Sequence, residues 1–472
     1  MNLIAINVRR LLALWSVMFA TIGFAETPGT LNVPEASYDV RSFGAIGDGV
    51  TLSTPALQAA IDRCNTNGGG AVLVAGGHYL TGTLYLKSNV CLRIDAGAAI
   101  LGSTRDSDYT TDTDRTMYRG EPHLDRCLIF AKDAENISIE GHGVIDGHGK
   151  FFLSKGNPQR IRPKLIRFLR CRRLSMRDVM LQSPASWTTE WRYCSDIAID
   201  GITIFSRANI NGDGLDFDGC TNVRVSNSSF DTSDDCICLQ TSLTDQPCRD
   251  IAVANCTFTS RWAGMRIGLL SRGDFENVTV TNCTFRDIRD SGIKIQMGEG
   301  ATMQNMVFTN LVMKNVLKPV FMTFSQHRAY VDAPPEFAPM KTMRGFIFSQ
   351  ITVETETGGK DAAIIITGLP GHPIEDITFS DIRATFAGGG TATDAANVLE
   401  ELTPENLKGR WPESSRFDRA VPAYGLYARH VKGLSLRNVQ FSTTAPDERP
   451  PVMLVDVTDT KLSDSPEPVK KP

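Results

Sequence analysis

The chain has 472 residues, 42% of them hydrophobic and 22% charged, with a formal net charge of −4. That balance excludes a disordered or collagen-like chain and supplies enough apolar side chains for a large core. No block of like charge marks a nucleic-acid partner, and a bare length prior gives about three domains.

The first element reads as a leader. Arg9 and Arg10 precede the apolar run 11–24, and Gly23-Phe24-Ala25 is a small-residue cleavage site. The run is too short for a bilayer span. Residues 1–25 are therefore expected to be a signal peptide, the location secreted or periplasmic, and the mature chain free of membrane. Next, Thr54 and Pro55 predict the N-cap and first turn of a helix over 54–64. That helix is expected to cap the N-terminal end of the strands after it. Gly68, Gly69 and Gly70 then lead into predicted strands at 71–74 and 83–86.

From there the sequence repeats itself. Apolar strand starts recur at Leu174, Ile197, Val223, Ile251, Val278 and Met306, with steps of 23, 26, 28, 27 and 28 residues. Weaker copies begin at Ile137, Phe346, Ile377 and Leu434. Each unit alternates apolar and polar residues, the mark of a strand with one buried face. Such a unit holds about three short strands and cannot bury its inner face alone, so coils must stack. The expected fold is all-β, a right-handed parallel β-helix, forming one catalytic domain over 26–462. Loop insertions are expected near 325–340 and 385–425, and a polar, Pro-rich disordered tail at 463–472.

Asn227, Asn255, Asn282 and Asn310 fall at one turn position and predict a hydrogen-bonded ladder, although three of them sit in glycosylation sequons. The 11 cysteines likewise recur in register. Cys171, Cys194, Cys220 and Cys248 each precede a strand start by three residues, and Cys256 and Cys283 share another position. They read as stacked small residues and require no disulfide framework.

Four coils align on the inward pairs Leu215/Phe217, Ile237/Leu239, Met265/Ile267 and Ile293/Ile295. Asp216, Cys238, Arg266 and Lys294 then form an outward column. Asp213, Asp235, Ala263 and Ser291 lie two positions before the first inward residue, with Asp234 one further back. Strands about 4.8 Å apart bring Asp213, Asp234 and Asp235 together. Mutual repulsion should leave at least one of them protonated, an acid beside ionised bases, as glycoside hydrolysis requires. Arg266 and Lys294 are candidate cations for an anionic sugar. Asp-Asp pairs also occur in turns and Ca²⁺ sites.

At these residues the sequence resembles glycoside hydrolase family 28, the polygalacturonase family. Tyr38 to Gly49 and Gly68 to Val74 match an opening shared by several β-helix enzymes, and Gly141 to Gly147 and Ser183 to Thr188 match further landmarks. The family's Asn-x-Asp-Gly matches Asn211-Gly212-Asp213-Gly214, and its Asp-Asp matches Asp234-Asp235. The resemblance implies metal-free, cofactor-free hydrolysis with inversion. Asp234 would be the acid, and Asp213 and Asp235 would hold the water, with carboxyl groups roughly 6.5–9.5 Å apart. Asn211, Arg266, Lys294 and Trp262 are the expected substrate-binding residues. Two motifs depart from the family: its Gly-His-Gly falls on Trp262-Ala263-Gly264, and its Arg-x-Lys on Lys294-Ile295-Gln296. Rhamnogalacturonan hydrolases also lack that histidine, so the substrate is expected to be pectin or another acidic glycan, including rhamnogalacturonan or a sulfated galactan.

Trp187 and Trp191 are further stacking candidates, and His327 in an insertion is a candidate to reach the cleft. His123, His142, His148, His327 and His372 show no ligand spacing to one another. A monomer is expected. The competing readings are a Ca²⁺-dependent polysaccharide lyase and a non-catalytic glycan-binding β-helix.

Overall fold

The structure is a computed structural model, and it describes residues 36–115, 124–152, 161–326, 339–407, 410–417 and 419–471. The expected leader and His327 lie outside them. The described strands pair in parallel, each with its counterpart in the next coil, and build the right-handed β-helix. The repeat read from the sequence is one continuous ladder. Ile137, Leu174, Ile197, Val223 and Ile251 are successive partners, followed by Val278, Met306, Phe346, Ile377 and Leu434. All ten are buried in one core.

Aromatic residues stack inside the coil because each rung repeats the same inward position. Phe230, Phe258 and Phe285 follow one another at 5.2 and 4.7 Å between ring centroids, and Phe308, Phe348 and Phe379 at 5.0 and 4.9 Å. Trp191 belongs to this interior. It packs between Phe168 and Phe217 with no exposure, which corrects the expectation that it stacks on a sugar.

The predicted Asn ladder is present. Asn310 donates to Asn282 (2.7 Å), Asn282 to Asn255 (3.4 Å), and Asn255 to Asn227 (3.2 Å). All four sit in the left-handed region at φ 53–57°, where Asn is tolerated and most L-residues are strained. All 11 cysteines are free and buried. The Cys171 amide donates to Cys194 Sγ at 3.4 Å, so the thiols fill the wall of the coil without bridging it.

The helix spans Thr54–Thr66, with Ser53 at the N-cap rather than Thr54. Ser53 Oγ is engaged with Ile46, and Thr54 Oγ1 accepts from the Gly82 amide at 2.8 Å. The helix buries Leu57, Ala60, Ile61 and Cys64 in the core. The tail departs from expectation: Val469–Lys471 form a strand paired with Met453, Leu454 and Val455. Backbone groups of the last coil bond this strand without needing an apolar pattern. The described residues of the insertion around 387–425 carry short helical turns at Ala392–Ala395, Pro404–Leu407 and Ser414–Arg416. It builds a second apolar core outside the coil, in which its Leu399, Leu402, Leu407 and Phe417 cover Phe321, Ile365 and Tyr427.

Candidate active site

Register places the acids. Leu215, Ile237, Met265, Ile293 and Val320 are successive inward partners, and Asp216, Cys238, Arg266 and Lys294 successive outward ones. Asp213 and Asp235 precede this strand by two residues, held by backbone bonds from Thr188 N to Asp213 O and from Gly214 N to Asp235 O, both 2.9 Å. The glycines of Asn211-Gly212-Asp213-Gly214 are steric necessities. A Cβ on Gly212 would lie 2.2 Å from Ser206 O, and one on Gly214 would lie 2.3 Å from Cys236 O. Asp234 is fixed through its backbone, where Ser260 Oγ donates to its carbonyl at 2.6 Å. Its Oδ1 accepts from the Asp235 amide at 3.1 Å.

The three carboxyls come together as expected: one oxygen from each lies within 4.8 Å of the others. That approach is closer than the 6.5–9.5 Å carboxyl separation expected for a single displacement, so spacing does not argue for inversion here. Asp213 and Asp235 are buried, and one Oδ1 of each has no hydrogen-bond partner among the described residues. Burial, then the neighbouring Asp234, Asp216 and Asp235 charges, push Asp213 well above the ordinary carboxyl range. Burial and the Asp235 charge raise Asp234 to about 7, against the pull of Arg266 and Lys294. Asp235 is the paired member, with Arg266 Nη1 3.1 Å from its Oδ2. The cluster has the oxygen spacing of a divalent-cation site as well, but the Arg266 guanidinium beside Asp235 opposes a second positive charge there.

These acids face a cavity of about 200 Å³ lined by Trp187, Asn211, Trp262, Arg266, Trp411 and Glu413, among others. Asn211 stands at φ 51°, and its Oδ1 accepts from Arg162 at 2.9 Å. Trp187 packs against Lys164, whose ammonium lies 3.6 Å from the ring centroid. Lys164 itself pairs with Glu190 at 2.9 Å.

The sequence placed Arg266 and Lys294 in the right column but not their partners. Glu413, from the insertion, contacts both: its Oε1 lies 3.4 Å from Arg266, and its Oε2 closes on Lys294. Asp290 pairs with Lys294 at 2.8 Å. An alternating chain of charge results, Asp235–Arg266–Glu413–Lys294–Asp290. Lys294 has no exposed surface, lies 4.6 Å from the centre of the Trp262 ring, and does not line the cavity. The expectation that it touches substrate is thereby corrected: it points outward from the coil, as parity requires, but the insertion buries it. Gln296 is spoken for too, donating to Pro412 O at 2.8 Å and accepting from Arg266 Nε at 3.0 Å. Trp411 and Glu413 carried no sequence signal, because the insertion has no repeat register to place them.

The Glycosyl hydrolases family 28 model matches residues 64–403. The chain belongs to glycosyl hydrolases family 28. It is thus a glycoside hydrolase acting on O-glycosyl bonds and is polygalacturonase-like. A probable polygalacturonase of Vitis vinifera is 24% identical over 408 residues, 80% of this chain and 82% of that protein. An exo-poly-alpha-D-galacturonosidase of Dickeya chrysanthemi is 25% identical over 444 residues, 81% of this chain and 73% of that one. Among solved family 28 folds, the exopolygalacturonase of Yersinia enterocolitica superposes with a TM-score of 0.69 at 21% identity, covering 92% of this chain and 79% of its own. Among the described residues no helix is long and apolar enough to cross a membrane.

Proposed function

We propose that this family 28 hydrolase is secreted and cleaves an acidic, pectic polysaccharide of the polygalacturonate type with inversion. Asp234 is the general acid, Asp235 is the base that deprotonates the attacking water, and Asp213 helps to hold that water. The observation that carries this reading is the unequal environment of three adjacent acids. Asp234, raised to about 7, keeps a proton for the leaving oxygen. Asp235, paired with Arg266, stands beside it as the carboxylate. The unbonded Oδ1 atoms of Asp213 and Asp235 provide acceptors for one water. Trp187, Trp262 and Trp411 supply flat apolar walls for sugar faces, and Asn211 an amide at the rim. The apolar leader sequence supports secretion, and the metal-free reading and inversion rest on the family resemblance.

Replacing Asp234 by Asn removes the acid without changing its size. We expect a loss of about 10²–10⁴ in kcat for reducing-end release from polygalacturonate. Unchanged turnover would remove Asp234 from the mechanism. In the native enzyme the acid is loaded below its pKa and empty above it, so kcat/KM should fall as pH rises through about 7. The first-formed anomer, read by NMR, decides inversion. Loss of activity with chelator, together with an unsaturated product, would instead establish a lyase. A second reading, rhamnogalacturonan or another galactan, is favoured by Ala263 and Gln296 in place of the family's His and Lys, and the same turnover assay on those polymers separates it.

A further inference from the structure

The two outward cations nearest the acids are spent inside the protein. Arg266 is held by Asp235, Gln296 and Glu413, and Lys294 by Glu413 and Asp290. Glu413 thus supplies, from the chain itself, the carboxylate that those cations would otherwise take from a sugar. Yet the cleft does not end there. Trp262 lines both the catalytic cavity and a larger chamber of about 780 Å³.

That chamber contains Arg261, Arg289 and Lys318, whose charged ends make no hydrogen bond or ion pair among the described residues. Its acids are mostly committed elsewhere: Asp290 to Lys294 and Ser414, and Asp394 to Lys360 and Thr391. Lys318 is the deepest of the three cations, only 6% exposed. Burial lowers its pKa, partly countered by the Asp290 and Asp361 charges, so an arriving anion would find an ammonium with little water around it. Its place follows from register. Ala263 pairs with Ser291 and Ser291 with Lys318, and Asp235 holds the same position one coil earlier. Three strand steps of about 4.8 Å separate Asp235 from Lys318, a span that one oligosaccharide lying along the coils covers.

We propose that this chamber is an anionic-sugar subsite. Lys318, with Arg261 and Arg289, binds the carboxylate of a uronic acid unit further along the chain that is cut at Asp234, and Trp262 is a wall of both the catalytic cavity and the chamber. The proposal rests on the hydrolase reading above and adds to it the place where the acidic group is recognised.

The test is calorimetric binding of short galacturonate oligomers to the Asp234→Asn protein, against the same oligomers fully methyl-esterified. The acid form should bind at least tenfold more tightly, and Lys318→Met should remove roughly tenfold of that affinity while leaving the ester's unchanged. Lys318→Arg should restore most of it. The exposed pair Arg261→Ala and Arg289→Ala does not disturb the interior; it should weaken the acid form several-fold and flatten its salt dependence. Equal affinity for acid and ester, or equal losses on both, would overturn the subsite and leave the hydrolase reading standing. Failure of both oligomers to bind would overturn the subsite and the polygalacturonate reading together.

Discussion

One outward column of the β-helix changes character halfway along. Its first part runs Arg167, Glu190, Asp216, Cys238, Arg266, Lys294, and its second runs Phe321, Ile365, Tyr427, Met453. The backbone, parity and register are the same throughout; only the side chains differ. The charged half carries the catalytic acids at its edge. The apolar half cannot face water at that density, and the insertion around 387–425 covers it. Because the column is continuous, a loop anchored on the apolar half reaches back over the charged one, and there it delivers Trp411 and Glu413. The inward face of a solenoid specifies the coil. The outward face specifies what lands on it.

The sharpest way to break that division is to remove Glu413, an acid that crosses it. Glu413→Ala leaves Lys294 buried with Asp290 alone and deprives Arg266 of a partner. Breaking a buried pair in this way should cost about 3–5 kcal/mol, read from the denaturant midpoint. A loss below about 1 kcal/mol would mean that Glu413 is a bystander to the charge chain. On the apolar side, Leu407→Ala should cost about 2–3 kcal/mol. That is the lower end for a buried leucine, since one wall of this cluster is a loop that can settle. Its signature should be early proteolytic nicking within the insertion while the coil stays intact; simultaneous loss of both would show that the insertion and the coil unfold as one.

The same geometry accounts for how much the sequence made legible. Period-2 alternation and the repeat spacing set the inward ladder from Ile137 to Leu434, and with it the adjacency of Asp213, Asp234 and Asp235. The outward direction of Arg266 and Lys294 was legible for the same reason. Their occupancy was not, because Glu413 lies 147 residues from Arg266 in a segment without periodicity. Trp191 was readable from parity: it pairs with Phe217, an inward residue, and so had to be core. The closeness of the three carboxyls was harder, since rung spacing fixes backbones while side-chain rotamers bring the oxygens within 4.8 Å.

The smallest effect expected is also a control on the comparison. Asn255 belongs to a coil that presents Arg266 outward, and Asn310 to one that presents Phe321. Both stand in the left-handed region, at φ 57° and 53°, and both donate to the Asn one coil back. If the change of character is confined to the outward column, the turn ladder should not sense it. Asn255→Ala and Asn310→Ala should then each cost about 1–2 kcal/mol, from backbone strain plus one exposed hydrogen bond. Asn→Gly at either position should recover the strain part and not the bond. A cost at Asn310 several times that at Asn255, by denaturant unfolding, would show that the apolar platform and its insertion pull on the turns as well, and the two halves would differ through the whole coil rather than on one face.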